Sequence, residues 1–232
     1  MIFGNGMVAK AFQQYGNNDS VLIFASGVSN SNETDLSQFT RERSALKEAM
    51  QRNHDKLLVY FSTCSIEDKD ICASLYVQHK LAMEKLISES HEQYLICRLP
   101  QAVGRSSTRT TLVNYLYDKI VTNAEFVVWK KTIRYLIDID DAGRIVSYTI
   151  DQDSYRNRTL NVSALRYSVE DIVKTLENIL KMKARYTLIE KGIPYLIDNS
   201  NILSIVKELN IEFNEEYLYH VIKKITAYVS HI

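Results

Sequence analysis

Tyr76 and Lys80 stand four residues apart in the run Leu75-Tyr76-Val77-Gln78-His79-Lys80, shortly after Phe61-Ser62-Thr63-Cys64-Ser65. On a helix, residues spaced i and i+4 share a face, so a phenol and an ammonium can meet there. A neighbouring positive charge favours the phenolate and lowers a tyrosine pKa. A hydroxyl from Ser62, Thr63 or Ser65, at the end of an apolar strand, can polarise a substrate oxygen beside that phenol. These are the parts of a proton-transfer site at a carbon–oxygen centre. The plainer alternative makes Tyr76 core packing and Lys80 its solvated neighbour, because the spacing is common in helices and the chain holds 15 tyrosines. Two companions favour chemistry: a glycine turn near the first residue, and a hydroxyl-bearing strand end in the right order.

The surrounding elements must place these groups. Residues 1–3 read as a very short apolar strand running into Gly4-Asn5-Gly6-Met7-Val8-Ala9, with a helix expected at 10–15. Apolar strands are expected at 21–25, 57–61 and 94–97. A polar loop at 26–32 follows the first of these. Helices are expected at 35–52, with Leu36, Phe39, Leu46 and Met50 near one face, and at 76–89. Continuously apolar strands alternating with helices indicate a parallel sheet covered on both faces. Pro100 and Gly104 break this rhythm. Beyond them a helix is expected at 110–121 and extended chain at 126–129 and 135–139. Ser168 and Asp171 have capping-box spacing, opening a helix to about 181, and the tail from 199 to 232 reads as mostly helical.

Composition narrows the function classes. The chain has 232 residues, 46% of them apolar, enough for a substantial core in one larger domain or a domain with a small lobe. Lys plus Arg and Asp plus Glu are both 28, and no basic stripe appears, which argues against a nucleic-acid binder. Cys64, Cys72 and Cys97 make neither a disulfide framework nor a metal-finger spacing, so a reducing cytoplasmic location is expected and no metal is. His54, His79, His91, His220 and His231 are scattered and read as surface residues. No apolar run approaches the roughly 20 residues of a membrane span, and no charged leader precedes one. Membrane attachment is therefore not expected.

Gly4-x-Gly6-x-x-Ala9, after a strand and before a helix, suits a dinucleotide pyrophosphate. The first glycine permits the tight turn, the second lets backbone approach phosphate, and the small third residue lets helix and strand pack closely. An Asp or Glu about 20 residues on usually ends the second strand and holds the adenine ribose. Here the next strand ends Phe24-Ala25-Ser26-Gly27, with no acid. Either that acid is replaced or this is not the usual second strand, so NAD and NADP both stay open.

With these elements in order, the chain resembles a short member of the NAD-dependent epimerase/dehydratase family, within the extended short-chain dehydrogenase/reductase superfamily. Ala25-Ser26-Gly27 resembles the family's fourth-strand end, which lines the adenine side of the cofactor. The resemblance therefore implies an α/β fold, a truncated Rossmann-type parallel sheet lacking the usual second and third strands, with helices on both faces. It implies a dinucleotide-binding domain over 1–158, with 105–132 contributing to the substrate side, and a small C-terminal substrate lobe over 159–232. Phe61-Ser62-Thr63-Cys64-Ser65-Ile66 resembles the active-site strand end and puts Thr63 at the catalytic Ser/Thr position. Tyr76 and Lys80 match the Tyr-x-x-x-Lys motif, Tyr76 as acid/base and Lys80 holding the nicotinamide ribose while lowering the tyrosine pKa. The implied cofactor contacts are Gly4, Asn5, Gly6, Met7, Val8, Ala25, Ser26, Gly27, Ser62, Tyr76, Lys80 and Pro100. Cys97-Arg98-Leu99-Pro100-Gln101 resembles the sixth-strand exit, with Gln101 on the substrate. Arg134-Tyr135-Leu136-Ile137-Asp138 resembles the segment whose arginine grips the nucleotide diphosphate, the alternative being an ordinary surface ion pair.

The family's 4,6-dehydratases carry Asp-Glu directly after the catalytic threonine. Cys64-Ser65 stands there instead, and neither side chain supplies a carboxylate acid or base. That leaves epimerisation or keto reduction of a nucleotide-activated sugar, in surface-polysaccharide or deoxysugar biosynthesis. Cys64 has no paired histidine and reads as a packing residue, and Asp138, Asp140 and Asp141 read as a strand exit and helix cap rather than a metal site. The resemblance also implies a homodimer through the helix bearing Tyr76 and the one before it. A different class of function is a non-catalytic dinucleotide-binding module acting as sensor or scaffold, motivated by the missing acid and the short first strand.

Overall fold

A computed structural model describes residues 1–104 and 111–229, with side chains as far as 227. Positions 105–110, which hold the first residue of the helix expected at 110–121 and part of the expected substrate-side segment, and 230–232, with His231, lie outside the described residues.

The first half builds the expected parallel sheet. Strands β1 (Ile2–Phe3), β2 (Val21–Phe24) and β3 (Leu57–Thr63) alternate with helices α1 (Met7–Lys10), α2 (Leu36–Arg52) and α3 (Leu75–Ser90). Helix α1 ends sooner than expected, and residues 13–15 form a separate 3₁₀ turn. Asp35 and Ser74 cap α2 and α3 by accepting from the backbone N–H of Ser37 and Val77, which satisfies donors the first helical turn leaves free. Strand β4 (Tyr94–Leu99) follows, and β8 (Arg158–Asn161) completes a five-stranded sheet in the order β1-β2-β3-β4-β8, every pair parallel.

Both faces of this sheet are covered, which is why its strands are apolar throughout. Leu22, Phe24, Leu58, Tyr60 and Ile96 pack against Leu46, Ala49 and Met50 of α2 and Met83 and Ile87 of α3. Ile23, Val59, Phe61, Cys97 and Leu160 turn the other way, into a core shared with Phe12, Ile145 and Val146. Among the described residues nothing pairs with the outer edge of β1. The first strand is thus an edge strand beside β2, as deletion of a second and third strand requires.

Pro100 ends the ladder of β4, since it has no N–H to give and fixes its own φ. The chain leaves the main sheet there. Strand β5 (Gln101–Val103) pairs in parallel with β7 (Ile133–Asp138), and β7 pairs antiparallel with β9 (Arg166–Ser168). Between them lie α4 (Leu112–Val121) and β6 (Phe126–Trp129). Strand β6 joins β10 (Tyr186–Ile189) in a two-stranded parallel ribbon. Helix α5 (Ile139–Ile150) starts directly at the end of β7, so Ile139 is helical rather than extended; Asp138 is its N-cap, accepting from the backbone N–H of Asp140. Helix α6 (Val169–Leu180) carries the expected capping box, Ser168 with Asp171.

Helices α7 (Leu203–Glu208) and α8 (Tyr217–Val229) end the described chain. Lys224 of α8 donates to both oxygens of Asp138 at 2.9 and 2.8 Å and to Asp140 at 2.5 Å, while the Tyr217 hydroxyl donates to Asp141 at 2.9 Å. The three aspartates thus cap α5 and anchor α8. Strand β8 straddles the boundary expected at 158, and one apolar core runs from Phe12 to Ile225. No described helix is long and apolar enough to cross a membrane.

The turn after β1 depends on glycine. Gly4 has φ +128°, and a Cβ there would lie 2.4 Å from the Ala25 carbonyl oxygen. Gly4→Ala should destabilise the fold by roughly 1–3 kcal/mol, read as a lower urea midpoint; an unchanged midpoint would show that the turn reforms without the positive φ.

Candidate active site

The expected site residues gather at the carboxyl ends of the parallel strands, where open α/β sheets bind ligands. Gly4, Asn5 and Gly6 are exposed, and Met7, Val8, Ala25, Ser26, Gly27, Pro100 and Gln101 are half-buried. A Cβ built on Gly6 meets nothing within 4 Å, so the space over that backbone is open, while one built on Gly104 would meet Met7 Sδ at 3.0 Å. The glycine turn, the end of β2 and the exit from β5 therefore adjoin. A cleft of about 170 Å³ opens beside them, lined by Gly27, Val28, Ser29, Asn30, Glu33, Gln38 and Arg41. This surface fits the phosphate part of a dinucleotide; no carboxylate ends β2 to take a ribose hydroxyl.

Thr63 ends β3 and Tyr76 lies in the first turn of α3, with the Thr63 hydroxyl near enough to the phenol to favour its ionised form. Thr63 Oγ1 also accepts from the backbone N–H of Ser65 at 3.0 Å. Lys80 Nζ lies 6.0 Å from the centre of the Tyr76 ring. The three proposed catalytic groups thus share one place, all buried: Thr63 is 5% exposed, Tyr76 7% and Lys80 2%.

Lys80 is not free. Its ammonium donates to Glu42 Oε1 at 3.0 Å, to the Tyr60 hydroxyl at 3.2 Å and to the Phe61 carbonyl at 3.4 Å. Glu42, from α2, is wholly buried. It also accepts from Tyr60 Oη at 2.6 Å and from the Val28 N–H at 2.6 Å, and His79 Nε2 stands 3.0 Å from its other oxygen. A carboxylate only accepts, so His79 is the donor there. Gly27 closes over the pair: a Cβ would come within 2.6 Å of Lys80 Nζ and 2.8 Å of Glu42 Oε1.

These contacts change the electrostatics expected from spacing. Burial alone raises the Glu42 carboxyl, but the bonds from His79, Lys80, Tyr60 and Val28 overcome it and hold the group to about 2, from 4.5. Burial lowers the Lys80 ammonium against the opposing pull of Glu42. The carboxylate's shift is the firmer sign that the pair is ionised, because four direct partners account for it. Burial also pushes Tyr76 up to about 12, with the Thr63 hydroxyl pulling the other way and the Glu42 charge adding to the rise. Burial outweighs any lowering by Lys80, whose ammonium pairs with Glu42.

Other expectations are redirected as well. The Ser62 hydroxyl donates to Glu84 Oε1 at 2.5 Å, and Arg98 grips both Glu84 oxygens at 2.9 and 2.6 Å. Ser62 is thereby engaged within the protein. Arg134 pairs with the buried Asp68 at 3.3 Å while keeping 27% of its side chain exposed. Gln101 keeps a buried Oε1 with no partner. His79 and His91 are not surface histidines: His79 bonds Glu42, and His91, 7% exposed, contacts the Lys56 carbonyl at 2.9 Å. Burial raises the Cys64 and Cys97 thiols, in keeping with packing roles. Among the described residues no three His, Cys, Asp or Glu side chains cluster as a metal site would need.

Glu42, Tyr60, His79, Glu84 and Arg98 were the residues that motif reading passed over. A signal was present: Glu42 sits on the stripe of Phe39, Leu46, Ala49 and Met50, and Glu84 on that of Val77, Met83 and Ile87. Acidic residues on a buried helical face need partners.

The depressed Glu42 pKa has a pH signature. A carboxyl lower in the folded state contributes stability above its unfolded value, 4.5, and loses it as pH falls towards about 2. Urea midpoints measured across that window should fall less steeply in Glu42→Gln than in wild type; parallel curves would mean that Glu42 is not ionised in the fold.

The chain is similar to UDP-glucuronic acid 4-epimerase from Bacillus cereus, solved with UDP-glucuronic acid and NAD: TM-score 0.74, 16% identity, 95% of this chain and 78% of that one. It is similar to UDP-N-acetylglucosamine 4-epimerase from Methanobrevibacter ruminantium M1, in complex with UDP-N-acetylmuramic acid: TM-score 0.71, 14% identity, 92% and 77% covered. It is also similar to RMD from Pseudomonas aeruginosa, complexed with NADPH: TM-score 0.72, 12% identity, 92% and 82% covered. At such identities these likenesses show the fold, a Rossmann-type parallel sheet. No curated protein matches the sequence. The model of one family does match it, over residues 3–163 and so over more than half its length, and on that ground the chain belongs to the NAD dependent epimerase/dehydratase family.

Proposed function

We propose that this protein is an NAD(P)-dependent enzyme that epimerises a nucleotide-activated sugar or reduces its keto form, in polysaccharide or deoxysugar biosynthesis. The observation that carries the reading is that Thr63, Tyr76 and Lys80 are buried together at the strand ends, next to an open glycine turn. Family membership and neighbours crystallised with NAD, NADPH and UDP-sugars support it.

Gly4, Asn5, Gly6, Met7 and Val8 would hold the pyrophosphate, Ala25, Ser26 and Gly27 the adenosine side, and Pro100 the nicotinamide side. When bound, the dinucleotide supplies hydride acceptance and donation. Tyr76 gives or takes the proton of the sugar hydroxyl, and Thr63 bonds the same oxygen as charge develops there. Lys80 would hold the nicotinamide ribose beside Tyr76. Gln101, whose buried oxygen lacks a donor, and Arg134, partly exposed beside Asp68, face the sugar and its diphosphate. A homodimer through α2 and α3 and a cytoplasmic location belong to the same reading.

One observation favours a second reading, a dinucleotide-binding module without turnover: all three Lys80 protons already have protein acceptors. Fluorescence titration with NADH and NADPH, followed by a screen of nucleotide sugars for loss of label from a deuterated ring carbon, separates the two. The enzyme reading expects one cofactor to bind and one sugar to lose label. Binding without label loss favours the module, and binding of neither refutes both. In Tyr76→Phe, turnover should fall by about 10²–10⁴-fold with cofactor affinity nearly unchanged; undiminished turnover would remove Tyr76 from the chemistry.

A further inference from the structure

The main sheet carries an aromatic column that the motif residues do not use. Phe3 of β1, Phe24 of β2 and Tyr60 of β3 stand in register, Phe3 opposite Phe24 and Phe24 opposite Tyr60. Their rings stack on one another. Phe3 and Phe24 have centres 5.1 Å apart and planes 6° apart, and Phe24 and Tyr60 have centres 6.2 Å apart and planes 29° apart. The inner end of the column is closed, with Lys80 Nζ 5.1 Å from the centre of the Tyr60 ring. The outer end is open: Phe24 is 1% exposed and Tyr60 wholly buried, but Phe3 is 40% exposed, and among the described residues no strand pairs beyond β1.

We propose that the free end of this column, the Phe3 ring, is the platform on which the adenine of the dinucleotide stacks. This assignment deepens the reading above and rests on the glycine turn being its pyrophosphate site. Single exposed apolar side chains are ordinary, but Phe3 differs in two respects. Its ring lies nearly parallel to Phe24, so its orientation is fixed before a ligand arrives and little side-chain freedom is left to lose on binding. It also directly precedes Gly4, so a pyrophosphate held along Gly4-Asn5-Gly6 begins one residue from that ring. Thr63 and Tyr76 belong to β3 and α3, two strands inward from β1, which leaves the edge for the adenosine half of the molecule. A purine has a π-face, and aromatic pairs favour offset parallel stacking. The occupant is a base rather than an added strand, because β1 offers only Ile2 and Phe3, fewer residues than a strand pairing ordinarily uses.

The test uses the full-length protein with ADP-ribose, which carries the adenosine diphosphate part of the cofactor and no nicotinamide. Calorimetry gives its affinity, and proton NMR follows the two carbon-bound protons of the adenine ring, which a stacked phenyl ring should shift upfield. Phe3→Leu keeps an apolar side chain and removes the ring. It should weaken ADP-ribose by about 5- to 100-fold, the range of one base–aromatic contact, and abolish the upfield shifts. Phe3→Tyr keeps the ring and should match wild type. Unmoved affinity and shifts in Phe3→Leu overturn the proposal, as does an equal loss in Phe3→Tyr. Should circular dichroism show Phe3→Leu unfolded, Phe3→Met replaces it with the same expectation and the same overturning result. A wild-type dimer that Phe3→Leu dissolves in light scattering, with ADP-ribose affinity unmoved, puts a second copy of the chain on the ring and also overturns it. Wild-type protein that fails to bind ADP-ribose sinks the dinucleotide reading along with the platform, whereas binding that ignores Phe3 sinks the platform alone.

Discussion

Burying an ammonium is the constraint around which this molecule is organised. Taking an unpaired lysine out of water costs several kcal/mol, and Lys80 is 2% exposed. Its position therefore demands acceptors from every element that surrounds it. Glu42 comes from α2, Tyr60 and the Phe61 carbonyl from β3, and Lys80 itself from α3, so one ion pair ties the covering helices to the sheet. Removal of either charge would strand the other. Gly27 is glycine for the same reason, since any larger residue would strike the pair.

The pair also shapes the surroundings of the Tyr76 phenol. In water-exposed helices a lysine four residues on would favour the phenolate. In this interior the lysine is paired with Glu42, and burial is the dominant influence on the phenol. A second buried unit, Glu84 with Arg98 and Ser62, lies one turn farther along the same helix. The helical face behind Tyr76 thus carries two charged residues among Val77, Met83 and Ile87, and both have fixed partners.

The sheet imposes the other constraint. With β1 at the edge, the surface beside the glycine turn has no neighbouring strand on which to mount a ribose-binding carboxylate. The polar loop after β2 and the outer face of α2 line a cleft nearby. Pro100 then breaks the ladder of β4 and hands the chain to the smaller β5-β7-β9 sheet, whose strands carry Gln101 and Arg134.

Much of this was legible before any coordinates. Apolar runs at β2, β3 and β4, glycines at 4 and 6, and the order Thr63, Tyr76, Lys80 specify a parallel sheet and a site at its carboxyl ends, because strand burial, turn geometry and i, i+4 spacing are local properties of the chain. Strands β8, β9 and β10 were not legible, since they are short, partly polar and defined by partners far away in sequence. Nor was the charge state of the site. Glu42 lies 38 residues from Lys80, and Arg98 14 from Glu84. Only packing α2 and α3 on the same sheet face brings such charges to contact distance, and electrostatic energy depends on that distance and on the exclusion of water, neither of which spacing along a chain determines.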